Sequence, residues 1–280
     1  MIIGQKRNIE EIQLFKEKDA FPRFMIITGE KGSGKKTFAR YVSEQIGGFV
    51  VYSENGVDAV REAIVSAHKC IAPTTYIFAD ADRMSPQAKN ALLKVTEESP
   101  QQAYFIMTLE DINNALSTLK SRASVFQMEN YTTSELQKYL SMKSDGSKDD
   151  IILPIAQNPG QIDELLQMNV DEFINYCNLF LDNIATVSGV NAFKSASRIK
   201  FTEQGEGYDP ILFLNCCMAI CYSRMRHNID SLSSLDVMKL FETIRCCVKY
   251  KNELKVTGIK KDATFDMFIL ELRDILRQEG

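Results

Sequence analysis

The hydrophobic positions in the first half of the chain form short runs, and amphipathic segments with helical spacing lie between them. Five runs rich in β-branched and aromatic residues are strand candidates, at residues 24–28, 49–52, 75–79, 104–108 and 124–128. The segments between them predict helices at residues 36–46, 57–70, 86–98 and 112–121. Because strands that alternate with helices are typical of a parallel sheet with both faces covered, we predict an α/β domain here.

The second half of the chain carries helical spacing alone. Short helices are expected at residues 132–142, 150–157 and 161–167, and Asn158-Pro159-Gly160 separates the last two. Longer amphipathic helices are expected at residues 173–184, 211–225, 235–250 and 264–276. We therefore predict three domains: an α/β core at residues 1–130, a small helical lid at 131–170 and an all-α domain at 171–280.

Composition and charge narrow the classes of function without selecting one. The chain has 280 residues and a formal net charge of −4, so it lacks the overall basic character of many nucleic-acid-binding proteins. No apolar run approaches the roughly 18 residues that a membrane crossing needs, and the first residues lack the apolar core of a signal peptide. None of the seven cysteines forms a C-x-x-C pair. We expect a cytoplasmic protein with reduced, buried thiols.

A glycine-rich stretch from Gly29 to Thr37 has the spacing of a phosphate-binding loop. It reads GEKGSGKKT and lies between an apolar run and a helical segment, the context in which such a motif is credible. Backbone N–H groups of such a loop and a lysine, here Lys35, face phosphate. The next position normally carries a hydroxyl that ligates Mg²⁺. Because Lys36 fills that position and Thr37 comes one residue late, we predict a nucleotide-binding fold with impaired hydrolysis.

The acidic residues that such a site needs are also incomplete. An active enzyme carries two acids after a second strand, one for Mg²⁺ and one to polarise water. The run from Ala79 to Asp82 reads ADAD, so either Ala79 replaces the metal ligand or Ala81 replaces the base, according to the register. A purely structural role for Asp80 and Asp82 is equally open. Lys36 could partly replace Mg²⁺ or point to solvent.

Two further residues suggest contact with phosphate. Thr108 ends the fourth strand candidate, where a hydroxyl could touch a γ-phosphate or the attacking water, or could simply belong to a turn. Arg122 follows a helical segment near the sheet edge. It could stabilise phosphate charge in a neighbouring subunit, as an arginine finger does, or it could be an ordinary surface charge.

Taken in order, the short motifs resemble the AAA+ clamp-loader family. They are Ile3-Gly4-Gln5, the glycine loop, VDAVR at residues 57–61, NALLKVTEESP at 90–100, Thr108, and Ser121-Arg122-Ala123. The run at 90–100 matches the family pattern N-A-L-L-K-x-x-E-E-x-P and is the most specific of them. The resemblance covers about residues 1–170 by motif. Within the family the chain looks most like the delta-prime subunits of bacterial DNA polymerase III, in a divergent or phage-encoded form.

This resemblance implies an α/β P-loop AAA+ core with a parallel sheet, a small helical lid and a C-terminal all-α collar that holds a ring together. It also implies a degenerate nucleotide site, with Arg122 acting in trans on a neighbour's nucleotide. The implied nucleotide-binding residues are Ile3, Gly4, Gln5, Gly29, Gly32, Ser33, Gly34, Lys35, Lys36, Thr37, Asp80 and Thr108. In the family, the region around Arg83, Lys89 and Lys94 can face DNA, although a solvated helix face explains it equally well.

The departures from the family pattern favour a stator over a motor. Lys36 and Ala79 break the magnesium site, Gln161 stands near the position of the second-sensor arginine, and the four-cysteine zinc module is absent. We therefore expect weak or absent ATP binding, no zinc and no metal site. The implied partners are gamma/tau-like motor subunits, a delta-like subunit and the sliding clamp, with primed DNA reached indirectly.

Two alternatives remain open from the sequence. The chain could be an ATP-hydrolysing motor subunit of a clamp loader, with Thr37 and Asp80 recruited to the metal. It could instead be an interaction scaffold that binds no nucleotide. The leading hypothesis is a delta-prime-like stator that is not an independent ATPase and that helps load the sliding clamp onto primed DNA.

Overall fold

The chain forms two compact units in the computed structural model. Residues 2–199, 207–228, 231–256 and 259–277 are described. The first unit comprises Met1–Glu135 and Asn158–Gly160, and the second comprises Leu136–Gln157 and Gln161–Gly280. The division at residues 130 and 170 stays a prediction. No helix in the described ranges combines the length and apolar character that a membrane crossing requires.

A five-stranded parallel sheet lies at the centre of the first unit. Its strands are β1 (Phe24–Thr28), β2 (Phe49–Ser53), β3 (Thr74–Phe78), β4 (Ala103–Leu109) and β5 (Ser124–Gln127). They are arranged in the order β2-β3-β4-β1-β5, and every neighbouring pair is parallel. The predicted parallel sheet is confirmed, and all carboxyl ends meet at one edge, where ligands of such sheets bind.

Both faces of the sheet are covered at its central strand β1, where successive residues point to opposite sides. In β1 every residue is buried. Phe24 and Ile26 pack into one hydrophobic core, whereas Met25 and Ile27 pack into the other. This continuous burial explains why β1 reads as an uninterrupted apolar run, as expected for a central parallel strand.

Helices of the first unit supply the two covering layers. They are α1 (Lys6–Glu17), α2 (Lys35–Ile46), α3 (Val57–Ala67), α4 (Pro86–Glu97) and α5 (Ser117–Lys120). Residues of α3 and α4 contribute to one core, and residues of α1 and α2 contribute to the other. The sequence analysis did not predict α1.

The helix predicted at residues 112–121 is wrong. A short 3₁₀ turn covers Ile112–Asn114, and extended backbone separates it from α5. Tertiary hydrogen bonds hold the turn, since the carbonyl of Asn114 accepts from Lys89 Nζ at 2.7 Å and its amide donates to Asp82 at 2.7 Å. Helix periodicity alone does not reveal such partners.

The remaining helices are α6 (Thr133–Ser141), α7 (Asp149–Ile152), α8 (Pro159–Gln167), α9 (Val170–Asn183), α10 (Gly189–Ser195), α11 (Pro210–Asn228), α12 (Ser234–Leu254) and α13 (Lys261–Arg277). The helix predicted at 150–157 is much shorter, because Pro154 has no N–H to continue it. The break predicted at Asn158-Pro159-Gly160 is also misplaced, because α8 begins at Pro159. Proline is favourable in the first helical position.

An aromatic cluster fills the core of the second unit. Phe213 of α11 makes edge-on contacts with Phe180 of α9 and Phe265 of α13, at centroid distances of 5.1 and 5.8 Å. Such geometry contributes about 0.5–1.5 kcal/mol per pair beyond the buried area. Six free cysteines are buried among these helices. Burial raises the pKa of Cys221 to about 12, so its thiol stays protonated and unreactive at neutral pH.

Candidate functional site

The glycine-rich loop joins β1 to α2 at the carboxyl edge of the sheet. Gly32 and Gly34 have φ values of +81° and +86°, in the left-handed region that glycine adopts at little cost. Gly34 is the N-cap of α2. The glycine spacing in the sequence therefore corresponds to a backbone requirement of this loop.

Lys35 is folded back onto the loop that carries it. Its side chain is buried, and Nζ donates to the carbonyl of Gly29 at 2.7 Å and to that of Glu30 at 2.9 Å. Burial lowers the pKa of its ammonium, and three carboxylates partly offset that effect: Glu110, Asp82 and Asp80. Two of the three N–H donors of this ammonium are therefore already bound within the loop.

The segment Asn158–Gly160 lies directly against the loop. The backbone N–H of Gly160 donates to the carbonyl of Gly32 at 3.0 Å, and the Asn158 amide donates to the carbonyl of Lys31 at 3.2 Å. A Cβ added to Gly160 would stand 2.4 Å from Gly32 Cα, so this approach requires glycine. The sequence analysis treated the segment only as a helix break. The one sequence signal for this contact was the glycine after Pro159, since glycine allows close approach of two backbones.

Ser33 and Thr37 have different positions around the loop. Ser33 is buried, its carbonyl accepts from the Tyr131 hydroxyl at 2.8 Å, and its own Oγ has no partner among the described residues. Thr37, which the motor alternative assigned to the metal, lies on the exposed face of α2. Of the two hydroxyl residues within the motif, Ser33 is therefore buried and Thr37 is exposed.

Lys36 forms an ion pair with Asp80. Its Nζ lies 2.6 Å from Asp80 Oδ2, with both side chains about half exposed. Asp80 follows the end of β3 in a left-handed conformation, with φ of 51°. Magnesium requires oxygen ligands. Here Lys36 stands where the motif normally has a hydroxyl, and its ammonium is paired with the nearby carboxylate of Asp80. This donor set does not fit a magnesium ion.

Thr108 and Asp82 hold the turn around Asp80. The fully buried Thr108 accepts a hydrogen bond from the backbone N–H of Asp80 at 2.9 Å. Asp82 accepts from the backbone N–H of Glu110 at 2.8 Å and from the Asn114 amide at 2.7 Å. Both residues therefore link the ends of β3 and β4, which is the structural alternative that the sequence left open.

The Ile3-Gly4-Gln5 segment is hydrogen-bonded to the chain that follows β5, at Glu129. Gln5 is 2% exposed, its amide donates to the carbonyl of Glu129 at 3.0 Å, and its Oε1 accepts from the N–H of Glu129 at 2.8 Å. Gly4 has φ of +67°, and Ile3 is half-buried. The side chain of Gln5, one of the implied nucleotide-binding residues, thus joins this segment to the backbone after β5.

Arg122 lies two residues after α5 and remains accessible. Its Nη1 donates to the carbonyl of Thr118 at 3.0 Å, and its Nη2 donates to Glu97 Oε1 at 3.0 Å. The side chain is 37% exposed. The guanidinium is therefore supported from one side and open to solvent on another.

The basic surface expected around Lys89 is only partly present. Lys89 is 7% exposed, and its Nζ donates to the carbonyl of Asn114 at 2.7 Å. Arg83 and Lys94 are exposed. Lys89 supports the turn at Asn114 and cannot face DNA in this conformation, which corrects the expectation for that residue.

Comparison with known proteins finds similarity over parts of the chain. A family model described as "DNA polymerase III, delta subunit" matches residues 53–132. The delta' subunit of DNA polymerase III from Escherichia coli is 31% identical over 97 residues, which cover 32% of this chain and 29% of that protein. The gamma/tau subunit from Mycoplasma pneumoniae is 26% identical over 154 residues, covering 44% of this chain and 23% of that protein.

The fold has a counterpart among solved structures. A mutant of RuvB from Thermotoga maritima has 12% sequence identity and a TM-score of 0.51, with 98% of this chain and 88% of that chain covered. This likeness shows that the chain shares the fold of this RuvB structure. The sequence matches above span less than a third of the length of either curated relative. Together these findings support a relationship of this part of the chain to the AAA+ clamp-loader family.

Proposed function

We propose that this relative of the AAA+ clamp-loader proteins is a delta-prime-like stator that helps load a sliding clamp onto primed DNA. Its own nucleotide site is degenerate, and Arg122 serves the nucleotide of a neighbouring motor subunit. The observation that carries the proposal is the ion pair between Lys36 and Asp80, 2.6 Å apart. The ammonium of Lys36 thus lies beside the carboxylate that Mg²⁺ would otherwise need.

Three further contacts support an inactive nucleotide site. The ammonium of Lys35 is bound to two loop carbonyls, Gly160 is bonded to Gly32, and Tyr131 is bonded to Ser33. A phosphate group would find at most one free N–H on Lys35, in a loop that other parts of the chain already contact. ATP binding by this chain is accordingly weak or absent, and the chain is not an independent ATPase.

Arg122 supports a role in trans. An arginine finger must be presented at the surface, since it acts on a nucleotide held by another subunit. The guanidinium of Arg122 is partly exposed and lies within the segment matched by the family model. The stator thus contributes one cation to a neighbour's transition state and leaves hydrolysis to that neighbour.

An apolar stripe on α12 supports assembly into a ring. Val237, Phe241 and Val248 are 36%, 55% and 44% exposed, and their spacing places them on one face of the helix. Such a row favours contact with another helical surface. The proposed partners are gamma/tau-like motor subunits and a delta-like subunit in the cytoplasm, with the sliding clamp bound by the assembled ring.

The test is a reconstituted loader that contains this chain, its motor and delta-like subunits, clamp and primed DNA. Arg122→Ala should lower the ATPase rate at the adjoining motor site by about 10³-fold, while ring assembly measured by gel filtration stays unchanged. Arg61→Ala is the matched control, because Arg61 is also exposed and ion-paired, with Asp58. Unchanged turnover in the Arg122 variant, or Mg²⁺-dependent hydrolysis by the isolated chain, would overturn the proposal.

A further inference from the structure

We infer that Glu97 is a positioning residue that orients Arg122 toward the neighbouring nucleotide. This inference rests on the proposed role of Arg122 in trans. Glu97 is the last residue of α4, whereas Arg122 follows α5. Their side chains meet with Nη2 and Oε1 3.0 Å apart, so one element presents the cation and another fixes its direction.

The guanidinium is held at two of its three nitrogens. Nη1 is bound to the carbonyl of Thr118, one helical turn earlier, and Nη2 is bound to Glu97. Because the two acceptors bind different nitrogens, they together fix the plane of the guanidinium. A guanidinium has five N–H donors, and these bonds use two of them. The remaining N–H groups can therefore donate to phosphate oxygens while the support stays in place.

The platform under this pair is rigid. Leu92 and Val95 of α4 are buried in the same hydrophobic core as Leu119 of α5. Each of the three side chains is at most 1% exposed. Because the two helices are anchored in one core, the carboxylate and the guanidinium keep a fixed relation at the surface.

The pair contributes little to folding. Glu97 and Arg122 are 54% and 37% exposed, and exposed ion pairs are typically worth about 0–1 kcal/mol. A carboxylate beside an arginine that must attract phosphate also offsets part of its positive charge. The contact is consistent with orientation of the arginine, since neither stability nor anion attraction accounts for it.

The experiment compares two substitutions of Glu97 in the reconstituted loader. Glu97→Ala removes the acceptor, and we expect kcat at the adjoining motor site to fall about 10- to 100-fold, as for a misplaced catalytic group. Glu97→Gln keeps an oxygen acceptor without the charge, and its kcat should stay close to the wild-type value. The KM for ATP should stay the same in both variants, because the finger acts mainly in the transition state.

Glu98→Ala is the matched control, since Glu98 is the adjacent exposed acid and its substitution should leave kcat unchanged. A wild-type kcat in Glu97→Ala, with Arg122→Ala inactive, would overturn the inference but keep the proposed function. Equal losses in the alanine and glutamine variants would overturn it as well, because charge would then matter more than direction. A rise in kcat in both would show that Glu97 masks the arginine. If Arg122→Ala retained full activity, the proposed function itself would fail.

Discussion

At the scale of single residues, Gln5 shows how a side chain matched to ligand recognition can be committed to the fold. Both ends of its amide are bonded to the backbone of Glu129, and its Oε1 also accepts from Asn8. Gln5 adopts a positive φ of 60°, which costs about 1–2 kcal/mol for a residue with a Cβ. The hydrogen bonds offset that strain.

We expect Gln5→Ala to lower the free energy of unfolding by about 2–4 kcal/mol, because two partly buried backbone groups of Glu129 lose their partner. Urea denaturation followed by circular dichroism measures this change. Gln13→Ala is the control, since Gln13 lies on the exposed side of α1. Equal stability of the two variants would mean that water replaces the Gln5 amide without cost.

At the scale of elements, the two glycines between α2 and β2 face different constraints. Gly47 and Gly48 have φ values of +82° and +77°. A Cβ on Gly48 would lie 1.9 Å from the carbonyl oxygen of Pro73, whereas a Cβ on Gly47 would meet nothing within 4 Å. The carbonyl of Pro73 also accepts the N–H of Phe49 at 2.8 Å, so this close approach sets the start of β2.

Substituting each glycine by alanine separates backbone strain from steric overlap. Gly47→Ala should cost about 1–3 kcal/mol, the range for a residue held in an unfavourable backbone region. Gly48→Ala should cost clearly more, because the same strain is joined by overlap with Pro73 that forces β2 away from β3. Thermal unfolding of both variants gives the comparison. A Gly48 variant as stable as the Gly47 variant would show that the turn relaxes freely.

At the scale of the whole molecule, the apolar stripe on α12 predicts assembly. Phe241 is 55% exposed, so a polar substitution there leaves the core of the second unit intact. A charged side chain in a contact between subunits, in contrast, would be buried without a partner.

Phe241→Asp should leave the melting temperature of the isolated chain within about 2 °C of wild type, since exposed substitutions rarely change stability much. It should weaken co-assembly with motor and delta-like subunits at least about tenfold, as loss of a buried aromatic anchor does. Sedimentation velocity of mixed subunits measures this. Val65→Asp on α3 is the control, because Val65 is equally exposed at 55%. Full assembly of the Phe241 variant would exclude the stripe from the subunit contacts.

Part of the candidate site was predictable from the sequence, and part was not. The loop glycines were predictable, because positive φ at Gly32 and Gly34 is a local requirement that only glycine meets cheaply. The partner of Lys36 was not, because either a metal-like role or exposure to solvent suited the sequence. The structural role of Lys89 was missed because its acceptor, the carbonyl of Asn114, lies in another element.

The sequence by itself determined the layered α/β core, since the alternation of apolar strands and amphipathic helices follows from burial along the chain. Tertiary structure alone decided what the polar groups do. Gln5 finds Glu129 across 124 positions, Gly160 meets Gly32, and Lys36 meets Asp80. Periodicity is a property of neighbours in sequence, whereas a hydrogen bond or ion pair depends on which distant groups the packed core brings within about 3 Å.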